Sequence, residues 1–265
     1  MFSIFFLEQA QMEFCILNMD LSVIIPVWNE APKVAFDLED ADAFFQQYQI
    51  NGEIIVVDDG SLDTTVAAAR EAASLIHYPV HIIPLEVHQG KGSAVRNGVL
   101  RSRGRVVLFI DSGHCIPYAD IFNGIKLITD NRCDVAHASR YLPESTIIES
   151  QNVFRRFISK IFRLMIQRCL PVPRTLTDTQ CGLKIYRGDL ARTLFARSEI
   201  RGFLFDVEVL LLASRQGARI CEFPVSWKCD HDTRLSLIHA LPQIIKELRS
   251  IKKSGITTGT LQMRK

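Results

Sequence analysis

Short apolar runs that close on polar clusters constrain this chain more than any other feature of its sequence. Residues 21–27 read LSVIIPV and end at Trp28-Asn29-Glu30, and residues 53–57 run directly into Asp58-Asp59-Gly60-Ser61. Residues 80–84 lead toward His88-Gln89-Gly90-Lys91-Gly92-Ser93, and residues 106–110, VVLFI, stop at Asp111-Ser112-Gly113. Continuous β-branched runs of this length fit strands buried on both faces. Between them, Val34, Phe36, Leu38, Phe44 and Phe45 recur near helical spacing, residues 64–76 are alanine-rich, and residues 91–101 have helix-forming composition. Strands alternating with helices predict right-handed βαβ units, a three-layer α/β/α arrangement and a mainly parallel central sheet. Ligands of such sheets bind in the crevice at the carboxyl ends of the strands, where each polar cluster falls.

The second half is less regular. It offers a basic helix near 151–169, a polar motif at 177–184, an apolar helix near 205–215, a strand around 219–227 and a basic C-terminal tail. At 265 residues and 48% hydrophobic content the chain can bury one substantial core and is short for two domains. The expected organisation is a peripheral extension over 1–18, a main domain over 19–230, and a basic helix and tail over 231–265. Residues 1–18 are apolar but acidic, a poor match to a signal peptide, and Met19 is the expected natural start.

A formal charge of +2 gives no case for nucleic acid as a partner. Seven cysteines without a C-x-x-C pair read as reduced cytosolic thiols. No apolar run reaches the roughly 18 residues that a membrane-spanning helix requires.

The polar clusters carry the chemistry. The carboxylates of Asp58 and Asp59 can accept hydrogen bonds from a base or ribose, or the 58–63 segment can simply cap the helix that follows. Gly90, Lys91 and Gly92 open a helix whose N-terminal N–H groups can meet a phosphate, or they form a flexible turn. They are not a Walker loop, because no glycine opens the loop and Gly92 follows the lysine. Asp111 leaves a buried strand as a lone carboxylate and calls for a ribose hydroxyl, a metal ion or a cation as partner.

Taken together, SVIIPVWNE, IIVVDDGS, GKGSAVRNG and the D-x-D position at Asp111 resemble family 2 glycosyltransferases of the GT-A fold, over residues 21–227. Asp178-Thr179-Gln180-Cys181-Gly182-Leu183-Lys184, then Phe205-Asp206-Val207-Glu208 and Pro224-Val225-Ser226-Trp227, look like the branch acting on dolichyl or polyprenyl phosphate with glucose or mannose. The resemblance implies a Rossmann-like nucleotide-diphospho-sugar transferase fold and an inverting hexosyl transfer, with UDP-glucose as the expected donor. It places Pro26, Trp28 and Glu30 around the base, Asp58, Asp59 and Gly60 at the nucleoside, and Lys91 and Gly92 at the phosphates. Asp111, Arg140 and Asp178 take the catalytic positions. Asp178, Gln180, Lys184, Asp206 and Glu208 fall on the acceptor side, although Asp178 has an alternative as an ion-pair partner of Arg174 or Lys184.

One departure bears on the cofactor. The family's second D-x-D carboxylate is Gly113 here, and a further metal-ligand position is Cys115. Mg2+ and Mn2+ prefer oxygen ligands. The resemblance therefore implies a divalent metal that this sequence is poorly equipped to hold. Asp111 and His114, or the cations Lys91 and Arg140, are left to meet the diphosphate charge. The alternative readings are a catalytically weak or inert nucleotide-sugar-binding protein at a membrane surface, or transfer to a different acceptor.

Residues 151–177 hold Arg155, Arg156, Lys160, Arg163, Arg168 and Arg174 and no acidic residue. Phe154, Phe157, Ile158, Ile161, Leu164 and Met165 interleave with them, so the segment is either a basic amphipathic helix at a bilayer interface or a core helix with a solvated face. The tail adds Lys246, Arg249, Lys252 and Lys253. The expected location is the cytosolic face of a membrane, held peripherally.

Overall fold

The structure is a computed structural model and describes residues 20–149, 153–173, 175–229 and 237–256. The expected extension over 1–18, Met19, Arg174 and residues 257–265 lie outside the described residues.

A seven-stranded sheet forms the centre, in the order β3-β2-β1-β4-β7-β5-β8. Its strands are β1 (Asp20–Val27), β2 (Asn51–Asp58), β3 (Val80–Pro84), β4 (Val106–Ile110), β5 (Val135–Ser139), β7 (Leu183–Arg187) and β8 (Ile220–Pro224). β1 pairs in parallel with β2 and β4, β2 with β3, and β5 with β8. Only β7 runs against its neighbours β4 and β5. The sheet is therefore mainly parallel, as its sequence predicts. β6 (Thr146–Glu149) and β9 (Ser226–Lys228) form a separate two-stranded sheet.

Both faces of the central sheet are covered, which explains why its strands are apolar without alternation. Leu21, Val23, Ile25 and Val27 of β1 face one core, with α1 (Val34–Tyr48), α2 (Thr65–Ala73) and α4 (Tyr118–Thr129) packed over it. Ile24, with Ile55, Val57, Val107 and Phe109, faces the other core. That side is covered by α3 (Lys91–Arg101), α5 (Val153–Cys169), α6 (Gly188–Arg197), α7 (Phe205–Arg215) and α8 (Leu237–Lys253). No helix among the described residues is long and apolar enough to cross a membrane.

The expected strand over 219–227 divides in two. After Pro224 the chain leaves the large sheet, and Ser226–Lys228 pairs with β6 instead. The reversed β7 has a larger consequence. Its first residue, Leu183, lies beside Ile110 at the end of β4, so the preceding 177–182 segment is delivered to the same edge as Asp111.

Candidate functional site

The carboxyl ends of β1, β2 and β4 adjoin, because Val27 pairs with Asp58 across β1 and β2 and Ile24 with Phe109 across β1 and β4. At the end of β2, Asp58 is only 2% exposed. Its Oδ2 accepts from the Ser61 N–H at 3.1 Å, whereas Oδ1 is buried without a partner. A buried carboxylate oxygen left unpaired is costly, so this atom marks where a donor group on a ligand is needed.

Asp59 behaves differently. Its two oxygens accept from the backbone N–H groups of Gln89 (2.9 Å) and Gly90 (2.8 Å), and His88 Nδ1 lies 2.9 Å from Oδ2. At 2% exposure, Asp59, expected at the nucleoside, has both oxygens engaged by the 88–90 loop and shapes that loop. The His88 ring stacks on Trp28, with centroids 4.2 Å apart, and so builds a wall at the mouth of the cleft. His88 heads the polar cluster read before the helix, but nothing in the sequence pairs its ring with Trp28.

The rest of the β1 turn is tied to the segment after β2. Asn29 N donates to Ser61 Oγ at 2.7 Å, and Glu30 N donates to Thr65 Oγ1 at 2.8 Å. Glu30 itself pairs with Lys33 at 3.1 Å, and Pro26 is half-buried in the strand opposite Val57.

Gly90 precedes α3 with φ of +109°, a backbone conformation that favours glycine. Lys91 then opens the helix, and its Nζ lies 2.5 Å from Asp111 Oδ1. Burial works against the Lys91 charge, but Asp111 and Asp206 more than offset it and hold the ammonium above its ordinary pKa. A permanent cation at a helix N-terminus, with Gly90 and Gly92 around it, is suited to a diphosphate. Gly182 explains why the DTQCG string needs its glycine: the Asp111 carboxylate fills the space a Cβ would take, and Asp111 N donates to Gly182 O at 2.9 Å.

Behind this surface lies a second layer of charge. Lys184 is fully buried and donates to Asp206 Oδ1 at 2.7 Å and to Cys181 O at 3.1 Å. Burial pushes the Asp206 carboxyl up, against the pull of Lys184 and Lys91. Glu208 is 2% exposed and accepts from Ser198 Oγ (2.6 Å), Glu199 N (3.1 Å) and Ile200 N (2.9 Å). Lys184, Asp206 and Glu208, expected on the acceptor side, all have partners within the protein. All three are buried supports whose partners lie inside the fold.

Asp178 and Arg140 do meet at the cleft, but with each other. Arg140 Nε donates to Asp178 Oδ2 at 2.6 Å and Nη2 to Oδ1 at 3.0 Å, a bidentate pair. Burial raises the carboxyl, but Arg140 outweighs it and holds Asp178 down to about 2. Lys184, one of the two ion-pair partners weighed for Asp178, pairs with Asp206 instead, and the other, Arg174, lies outside the described residues. Glu222 braces the turn from β8, accepting from Thr177 N and Asp178 N at 2.9 Å. Gln180 N donates to Asp178 Oδ1 at 3.2 Å. The Arg140 guanidinium lies 5.3 Å from the Trp227 ring centroid and 5.8 Å from that of Tyr141, while Arg163 sits 4.1 Å over Tyr141.

The residues present do not fit a protein-held divalent ion. Gly113 offers no side-chain ligand, its N–H donates to Asp37 Oδ1 at 3.0 Å, and Ser112 Oγ donates to Asp37 Oδ2 at 2.5 Å. Asp40 pairs with His114, so that ring is engaged as well. Asp111 Oδ1 faces Lys91, and among the described residues no three His, Cys, Asp or Glu side chains are arranged to hold a metal. Asp37, missed in the sequence, had one legible signal: it lies on the apolar seam of α1 beside Val34, Leu38 and Ala41.

The helix expected over 151–169 is α5. Phe162 and Ile166 enter the core, while Ile161 and Leu164 are about half exposed alongside Lys160 and Arg168. The side chains of Phe154, Arg155, Arg156, Phe157 and Ile158 lie outside the described residues.

Comparison with known proteins identifies the family and the fold. A dolichyl-phosphate beta-glucosyltransferase of Dictyostelium discoideum is 30% identical over 250 residues, 89% of this chain and 74% of that enzyme. Its namesake in Saccharomyces cerevisiae is 31% identical over 88% of this chain and 74% of its own length. Among solved structures, glucosyl-3-phosphoglycerate synthase from Mycobacterium tuberculosis, in complex with Mn2+, UDP-glucose and phosphoglyceric acid, superposes with a TM-score of 0.70 at 17% identity. The match covers 91% of this chain and 83% of that one, a likeness of fold. The same enzyme has been solved with Mg2+ and UDP. The model of glycosyl transferase family 2 matches residues 22–195, and the chain is a glycosyltransferase belonging to that family.

Proposed function

We propose that this chain transfers glucose from UDP-glucose to a dolichyl or other polyprenyl phosphate, with inversion at the anomeric carbon. The carrying observation is the Lys91–Asp111 pair at the N-terminus of α3, on the edge of the sheet where Asp58 leaves an unpaired acceptor. The names and coverage of the relatives support the choice of substrates. Asp58 Oδ1 suits a base that presents a ring N–H, as uracil does. Trp28 and His88 wall the base, and the 90–93 turn faces the diphosphate.

The acceptor phosphate is already an anion near neutral pH, since the second pKa of a phosphate monoester is about 6. A strong general base is unnecessary. A phosphate oxygen attacks the anomeric carbon, the bond from that carbon to the β-phosphate oxygen breaks, and its electron pair leaves with UDP. Lys91 meets the charge gathering on the leaving diphosphate, and Asp111 fixes the direction of that ammonium. Arg140, held in place by Asp178, together with Arg163 forms the cationic wall on the acceptor side. A divalent ion, if carried in with the donor, supplies further charge neutralisation; among the described residues no three His, Cys, Asp or Glu side chains are arranged to cage it.

Membrane attachment follows the same reading. The exposed Ile161 and Leu164 of α5, and Leu241 and Ile245 of α8, lie among Lys160, Arg168, Lys246, Arg249, Lys252 and Lys253. Such faces suit an anionic leaflet, where each basic residue contributes about 1 kcal/mol. The proposed location is peripheral, on the cytosolic side.

The test supplies purified protein with dolichyl phosphate in vesicles and a panel of labelled sugar nucleotides. Label entering lipid from UDP-glucose, with equimolar UDP released, is the expected result. Tight UDP binding without transfer from any donor would instead support the nucleotide-sugar-binding reading that Gly113 favours.

A further inference from the structure

The core-facing seam of α8 is interrupted by a carboxylate. Ile244 and Ile251 are each 1% exposed, and between them Glu247 is 4% exposed, on a helix whose outer face carries Lys246, Arg249, Lys252 and Lys253. An acidic residue is not buried on an apolar seam without partners. Glu247 Oε2 accepts from the Leu204 N–H at 3.0 Å, and Oε1 accepts from Gln243 Nε2 at 2.7 Å. Leu204 is the residue from which α7 starts, and α7 has no side-chain cap of its own there. A carboxylate at that helix N-terminus is favourably placed. Gly202 lies so close that a Cβ would run into the Glu247 carboxylate.

The loop held in this way is the floor of the glycine turn. Arg201 O accepts from Ser93 N at 3.1 Å, and the space beside Gly90 and Gly92 is filled by the carbonyls of Arg201 and Ile200. Phe205, one residue past Leu204, places its ring 5.9 Å from Lys91 Nζ. Glu208 ties residues 198–200 from one side, and Glu247 ties Leu204 from the other. We propose that Glu247 is a positioning residue for the donor. From the basic helix α8 it fixes residues 200–204, on which the 90–93 turn rests, and thereby sets affinity for the nucleoside diphosphate. This rests on the reading of that turn as the diphosphate cradle.

Two conservative variants of the full chain test it. Glu247→Asp keeps the charge but withdraws it by one methylene from Leu204 N, whereas Glu247→Gln keeps the reach and an oxygen to accept the bond. By calorimetry, Glu247→Asp is expected to weaken UDP binding by about tenfold, because a misplacement of about 1 Å in a positioned site can cost on the order of 100-fold. UMP binding and the KM for acceptor lipid should stay within about twofold, and Glu247→Gln should restore UDP affinity to within about threefold. UDP affinity in Glu247→Asp equal to that of the unmodified chain, or an equal loss for UMP and UDP, overturns the proposal. If Glu247→Asp does not fold, Gly202→Ala presses on the same carboxylate from the loop side; unchanged UDP affinity there overturns it too. Lys91→Ala separates the two claims. If it leaves UDP binding intact, the cradle assignment fails; if it abolishes binding while Glu247→Asp is silent, only the role of Glu247 fails.

Discussion

The two sides of the cleft satisfy their buried carboxylates by different means. On the donor side Asp59 and Asp37 accept from backbone amides and hydroxyls of neighbouring loops. Around the 177–184 segment Asp178 and Asp206 are matched to whole charges, Arg140 and Lys184. Amide bonds set loop shape without fixing a second side chain, which suits a turn that must conform to phosphates. Ion pairs tie two strands and a turn together, so the acceptor wall is rigid but depends on both members being present.

Removing one member should expose that dependence most strongly. Asp178→Ala leaves the half-buried Arg140 guanidinium without its partner, and a loss of about 2–4 kcal/mol in urea unfolding is expected. A loss under about 1 kcal/mol would place the pair among weak surface bridges. Asp59→Asn on the donor side keeps one acceptor oxygen for the 88–90 loop. Its expected cost is smaller, about 1–3 kcal/mol, from one amide left unsatisfied.

Asp111→Asn should leave the fold intact and lower turnover by more than about tenfold, or 1.4 kcal/mol in the barrier, because Lys91 loses its counter-charge. Unchanged kinetics would remove Asp111 from the reaction. Acid separates the two sides further. Burial holds His137 down to about 3, so the folded state stays neutral while the unfolded state takes up a proton below its ordinary value of 6.5. Stability should therefore fall by up to about 1.4 kcal/mol per pH unit as pH drops from 6.5 toward 3. Asp178 adds its loss only as pH falls from 3.8 toward 2. Urea midpoints against pH in His137→Gln should flatten the first part of that curve and leave the second. The smallest effect expected is from chelation: EDTA should change UDP affinity by less than about threefold, since among the described residues no three His, Cys, Asp or Glu side chains are arranged to hold a metal. A loss of a hundredfold would show that the donor enters with its ion.

The same contrast explains what the sequence disclosed. β1, β2 and β4 were legible because strands buried on both faces are continuously apolar, and their terminal carboxylates stand out against that background. α3 was legible to the residue, Lys91–Arg101. β5 and β7 were not, because VAHAS and LKIYR carry His137, Ser139, Lys184 and Arg187 within the strand. Lys184 is acceptable there only because Asp206, 22 positions away in sequence, lies within 2.7 Å of it. α4 was hidden by Gly124, which the Phe223 ring requires. The pairing of Arg140 with Asp178 spans 38 residues and no local pattern announces it. Local chemistry can be read along a chain, whereas side chains matched across the fold can be recognised only as polar residues on apolar seams, as at Asp37 and Glu247.

The proposition beneath all of this is that Asp58, Lys91 and Asp111 serve one bound molecule. Calorimetric titration of UDP into the unmodified protein, Asp58→Ala and Lys91→Ala tests it most directly. The account predicts a single UDP site whose affinity falls at least about tenfold in each variant. Undiminished binding in both variants would place the nucleotide elsewhere and contradict it.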